Sequence, residues 1–122
     1  MANEHNIHLI SDSSGETVSG VVRACSVQYE KEVVQQHEWW LVRTEKQMKK
    51  ALQGIKLFPG IVVFTLVDPE IKLQLEEGCK KLGVPYISVL DPILNIMERA
   101  FKSKGDHEIG KQHNLNADYF ER

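Results

Sequence analysis

The sequence predicts an α/β domain: a mostly parallel sheet of four or five strands with helices on both faces. Three observations carry this. Short apolar runs rich in β-formers alternate with amphipathic stretches of helical length. The connections between runs are long enough for the crossover helices that parallel strands require. Ile61–Val67 is apolar almost throughout, as a central strand covered on both faces must be. A strand order of 2-1-3-4 follows as first choice, a Rossmann-like or flavodoxin-like build. It places a switch point between strands one and three, where open α/β sheets bind ligands.

The first strand is carried by Ile7, Leu9 and Ile10, in a run too short for a helix. Ser11-Asp12-Ser13-Ser14-Gly15-Glu16-Thr17 then turns it into a helix. Ser13, Ser14 or Asp12 can cap that helix, and Glu16 suits the positive end of its dipole. Val18, Val21, Val22, Cys25 and Tyr29 recur at helical spacing as its apolar stripe, which Glu30-Lys31-Glu32 closes. Val33-Val34 and Glu38–Thr44 give the second extended segment, in one piece or two. Trp39 and Trp40 fall on opposite faces of it, one for the core and one for a helix or a partner.

A second helix over about Glu45–Ile55 buries Met48, Ala51, Leu52 and Ile55. Pro59-Gly60 breaks the chain before the third strand. Asp68-Pro69 opens a third helix as N-cap and first residue. Ile71, Leu75, Cys79 and Leu82 form its stripe, and Gly83 ends it. Pro85–Leu90 is the fourth strand, and Asp91-Pro92 repeats the capping device for a helix burying Ile93, Ile96, Met97 and Phe101. Residues 1–101 thus read as one domain and residues 102–122 as a polar linker and tail.

The 122 residues fit one domain with a real core. A net charge of -2 argues against a general nucleic-acid binder. No apolar run approaches a membrane span, and the first residues have no signal-peptide character. Two cysteines, each on an apolar helix face, predict buried reduced thiols and a cytoplasmic setting. No His or Cys spacing offers a metal cage. His8 and His37 flank strands, while His107 and His113 fall in the tail as solvated side chains.

In a parallel sheet all strands end on one edge, so Asp12, Arg43 with Thr44, Asp68 and Asp91 gather at the carboxyl rim. Capping accounts for Asp68 and Asp91. Arg43 is either a phosphate fork or a surface charge. The Ser11–Thr17 turn offers hydroxyls and free N–H groups at a helix start, a cradle for phosphate or carboxylate. It is neither a Walker A loop nor a Gly-x-Gly-x-x-Gly turn.

That turn also resembles the Ser-Asp-Ser-Thr-Gly-Glu-Thr signature of the pyruvate, phosphate dikinase regulatory proteins, shared by the phosphoenolpyruvate synthase regulators. Here Ser14 replaces the usual Thr and keeps the hydroxyl. The resemblance extends through His37-x-x-Trp40-x-Val42-Arg43-Thr44, Pro59–Asp68, Gly83–Pro92 and Gln112-His113-x-Leu115-Asn116-x-x-Tyr119-Phe120-x-Arg122. It implies an ADP-dependent serine/threonine kinase that inactivates the dikinase and a phosphate-dependent phosphorylase that restores it.

ADP and inorganic phosphate would be the parent protein's cofactors, and the dikinase or the synthase its partner. The family's Gly-rich nucleotide loop is not in these residues, so the chain resembles an N-terminal domain, expected to bind partner and phosphate without autonomous kinase activity. The resemblance places phosphate or substrate at Ser11, Asp12, Ser13, Ser14, Gly15, Glu16, Thr17 and Arg43. Two other classes fit the residues: a stand-alone anion-binding module, and a structural homodimer joined through an exposed Trp39 or Trp40 and the tail.

Overall fold

The computed structural model describes residues 4–103. Strands β1 (Glu4–Ser11), β2 (Val33–Trp39), β3 (Ile61–Thr65) and β4 (Tyr86–Ser88) form one sheet in the order β2-β1-β3-β4, with every pairing parallel. Helices α1 (Glu16–Ser26), α2 (Glu45–Leu57), α3 (Pro69–Leu82) and α4 (Asp91–Phe101) alternate with the strands, and a 3-10 turn over Val27–Tyr29 follows α1. The predicted class and strand order hold.

Right-handed crossovers send α1 to one face and α2 and α3 to the other. Two cores result. On the α2/α3 face, Ile10, Val62 and Phe64 pack against Met48, Ile55, Ile71 and Leu75. On the α1 face, Leu9 and Val63 pack against Val18 and Val22. The alternation of Leu9 with Ile10 and of Val63 with Phe64 follows from the two-residue period of a strand.

Helix starts follow local chemistry in two of four cases. Asp68 Oδ1 accepts from the Glu70 and Ile71 amides at 2.9 and 3.4 Å, with Pro69 beside it, and Gly83 ends α3 in the left-handed region at φ 71°. Thr44 caps α2 in a reciprocal box: its Oγ1 accepts from Gln47 N at 3.1 Å, while Gln47 Oε1 accepts from Thr44 N at 3.0 Å. The other two depart from expectation. Gly15 is the N-cap of α1, and no side chain caps it, so Asp12, Ser13 and Ser14 are not caps. Leu90 takes that place in α4, and Asp91 instead meets Lys72 of α3 at 2.9 Å.

Several strand ends and burials also differ. The second extended segment is one strand that stops at Trp39, because Leu41 turns out of it at φ 57°. β3 ends at Thr65, before the expected Val67. Cys79 is buried as predicted, but Cys25 is exposed, as are Val21 and Tyr29, because α1 lies at the border of the covered sheet. None of α4's residues is buried, and Ile93, Ile96, Met97 and Phe101 are exposed.

Trp39 lies over Gly54 of α2 and Trp40 over Gly15, and both indoles are half-buried, so neither offers the exposed dimer contact considered above. His107 and His113 lie outside the described residues. Among those residues no helix is long and apolar enough to cross a membrane.

Candidate functional site at the carboxyl rim

β1 ends at Ser11 between β2 and β3, and the Ser11–Gly15 loop carries the chain from there into α1. Two neighbouring segments and one internal bond hold this loop. Ser11 and Ser13 carbonyls accept from the Val42 and Leu41 amides, each at 3.0 Å, stitching it to the chain after β2. Asp12 Oδ2 accepts from Val67 N at 2.9 Å, tying it to the chain after β3. Ser11 Oγ accepts from Ser13 N at 3.0 Å and closes the turn on itself. Gly15 then enters α1 at φ 85°, against the Trp40 ring.

Arg43 is fixed from two sides. Its Nε donates to the Asp12 carbonyl at 2.7 Å, and its backbone N donates to Gln47 Oε1 at 2.8 Å. The Thr44–Gln47 box that starts α2 therefore also positions Arg43. The residue is exposed, so the anchored Nε leaves the tip of the guanidinium at the surface.

The expected site residues divide by burial. Ser11, Asp12, Ser13 and Gly15 are buried, Thr17 is half-buried, and Ser14, Glu16 and Arg43 are exposed. Ser14, Glu16 and Arg43 are thus the solvent-facing members of the set, and the others lie beneath or between them. Asp12, 1% exposed, is a pin beneath the loop. Burial raises its carboxyl pKa above the ordinary value; the Val67 amide and Arg43 oppose the rise, and Asp68 adds to it. Its Oδ1 and the Thr65 hydroxyl find no partner among the described residues.

The rim constellation is only partly assembled into a site. Asp12 and Arg43 come together, whereas Asp68 is committed to its cap and Asp91 to Lys72. The sequence reading missed Gln47 and Trp40 as positioning residues. The Thr-x-x-Gln spacing announces the first; nothing local announces the second. Among the described residues no group of three or more His, Cys, Asp or Glu could hold a metal ion.

A parallel sheet with this rim is common to many activities, so kinship has to come from comparison. The profile of a family described as kinase/pyrophosphorylase matches residues 7–122. The chain belongs to the kinase/pyrophosphorylase family. Curated relatives in that family carry the provisional name pyruvate, phosphate dikinase regulatory protein. One from Rhodospirillum rubrum is 46% identical over 118 residues, covering 97% of this chain and 43% of the relative. One from Paramagnetospirillum magneticum is 45% identical over 122 residues, covering 100% and 39%. One from Brucella anthropi is 42% identical over 117 residues, covering 96% and 42%. The chain thus spans about two fifths of the length of these kinase/pyrophosphorylase relatives.

Proposed function

We propose that this chain is the phosphate-binding and partner-recognition portion of a cytoplasmic, bifunctional regulator of pyruvate, phosphate dikinase. In this reading the whole protein is an ADP-dependent serine/threonine kinase that inactivates the dikinase. It is also a phosphorylase in which inorganic phosphate attacks the phosphorylated side chain. That attack forms a new P–O–P bond and breaks the P–O bond to the side chain. Pyrophosphate leaves, and the side-chain oxygen regains a proton. The family's description, kinase/pyrophosphorylase, and the relatives' names as dikinase regulatory proteins support this reading.

The observation that carries the reading is the anchoring of Arg43 to the Ser11–Gly15 loop that leads into α1, whose N-cap Gly15 has no side chain of its own. A helix start and a guanidinium anchored to the loop that leads into it favour a phosphate oxyanion. Ser14 adds a solvent-facing hydroxyl on that loop. Asp12 contributes by holding the loop between β1 and β3. The 122 residues contain no Gly-x4-Gly-Lys-Ser/Thr, so ADP is not assigned to them and the kinase step is not theirs alone.

Titration of the chain with purified dikinase, with and without inorganic phosphate, tests this. Micromolar binding that tightens with phosphate is expected, and Arg43→Ala should weaken the phosphate effect by about tenfold. Absence of any binding would move recognition out of these residues and leave them as scaffold.

A further inference from the structure

Leu41 stands in a conformation that its side chain opposes. Among the described residues, Leu41 and Lys102 are the two that combine a side chain with positive φ, at 57° and 53°. Lys102 ends α4, where a left-handed residue is ordinary. Leu41 ends no helix. Its Cβ crowds the following carbonyl oxygen, so the conformation costs free energy that glycine is spared.

The backbone imposes that conformation. Three successive carbonyls of the loop after β1 each receive a donor from this bend: Ser11 from Val42 N at 3.0 Å, Asp12 from Arg43 Nε at 2.7 Å, and Ser13 from Leu41 N at 3.0 Å. On either side of Leu41 the chain turns to a different core, Trp40 to the α1 face and Val42 to the α2/α3 face. None of these contacts uses the Leu41 side chain, which is 52% exposed and belongs to neither core. Glycine would serve the fold better at this position. The leucine therefore has to be explained by what it presents to solvent.

We propose that Leu41 is a specificity-determining residue: it takes an apolar side chain lying within two positions of the phosphorylated residue on the partner polypeptide. This role rests on the phosphate reading of Arg43. Reach sets the two-position limit. Leu41 and Arg43 are two residues apart, so their Cα atoms are separated by at most about 7 Å, a span that an extended ligand covers in two residues. Leu41 is also bonded to Ser13, the neighbour of Ser14. A polypeptide that brings its phosphate to Arg43 and Ser14 thus runs past Leu41. The other exposed residues nearby in the chain, Ser14, Glu16, Arg43 and Thr44, are polar or charged. One leucine among them selects a single side chain rather than an apolar face.

Calorimetric titration of the chain with short phosphothreonine peptides tests this. Each of four peptides carries one leucine, one or two positions before or after the phosphothreonine, in an otherwise Ser/Gly sequence; a fifth has none. The best of the four should bind about tenfold tighter than the leucine-free peptide, the gain from burying part of one leucine side chain. Leu41→Asn, whose side chain tolerates positive φ, should erase that gain and leave the leucine-free peptide and inorganic phosphate bound as before. Its melting temperature should not fall. Equal binding of all five peptides would overturn the proposal, as would a leucine preference that survives Leu41→Asn. So would a lower melting temperature for Leu41→Asn, which would make the side chain structural. In each of those results inorganic phosphate still binds, and the reading of Arg43 stands. Failure of the natural chain to bind inorganic phosphate would remove both.

Discussion

Trp39 Nε1 donates to His8 Nδ1 at 3.1 Å and thereby fixes the tautomer of a fully buried imidazole. With Nδ1 an acceptor, Nε2 carries the proton and donates to the Phe58 carbonyl at 2.7 Å. His37 stacks on His8 at 4.5 Å and on Phe58 at 5.0 Å. A second proton on His8 would turn the acceptor into a donor facing the indole N–H. Burial lowers the His8 pKa, and the nearby His37 lowers it further, against the raising effect of the Phe58 carbonyl.

The pH dependence follows from that direction. Unfolded His8 takes up a proton at its ordinary value of 6.5, and the folded form does so at lower pH. Stability is therefore full above 6.5 and falls as pH drops through the window below it. Denaturant titrations at successive pH values should show this decline. His8→Leu should flatten it while lowering stability at neutral pH by about 1–3 kcal/mol, since the Trp39 N–H and Phe58 carbonyl lose their partner.

At Asp12 the sign reverses. A raised carboxyl pKa means that the ionised form is disfavoured by folding, so its contribution worsens as pH rises from the unfolded value of 3.8. Asp12→Asn keeps an acceptor for Val67 N, and its stability relative to the natural protein should improve between acid and neutral pH. Asp12→Ala removes that acceptor and should cost about 1–3 kcal/mol. Thermal melts of both variants across pH separate the two effects.

Gly15 should accept no side chain. A Cβ there would lie 2.3 Å from the Trp40 ring, on a backbone at φ 85°. Gly15→Ala should displace the indole, lower stability by at least about 1–2 kcal/mol and weaken phosphate binding. The Trp fluorescence spectrum reports the displacement directly.

Thr44→Ala tests whether the α2 cap also positions Arg43. Loss of the cap should cost about 1 kcal/mol, and phosphate affinity should fall with Arg43 itself untouched. Unchanged affinity in a measurably destabilised variant would show that Arg43 is held by Asp12 alone.

Local signals in the sequence were enough for the sheet order, for the Asp68–Pro69–Gly83 helix and for most of the α2 and α3 cores. Each depends on spacing or on a neighbour within four residues. What the sequence concealed depends on distant partners. Asp12 becomes a pin because of Val67, 55 residues away, and His8 is buried and bonded through Phe58, 50 residues on. Periodicity identified the apolar stripe of α4 but could not say what the stripe faces. It likewise gave Cys25 an apolar face without showing that the sheet beneath is uncovered.

The two thiols differ enough to make the protein easy to tag at one position. Burial pushes Cys79 up to about 11, with Glu76 adding to the rise, and its side chain is shielded from reagent. Cys25 is exposed and lines an apolar groove. A maleimide dye added at neutral pH should therefore attach once, with no cysteine introduced or removed. A polarity-sensitive fluorophore there would brighten when an apolar surface enters the groove, giving an optical reporter built from the natural sequence.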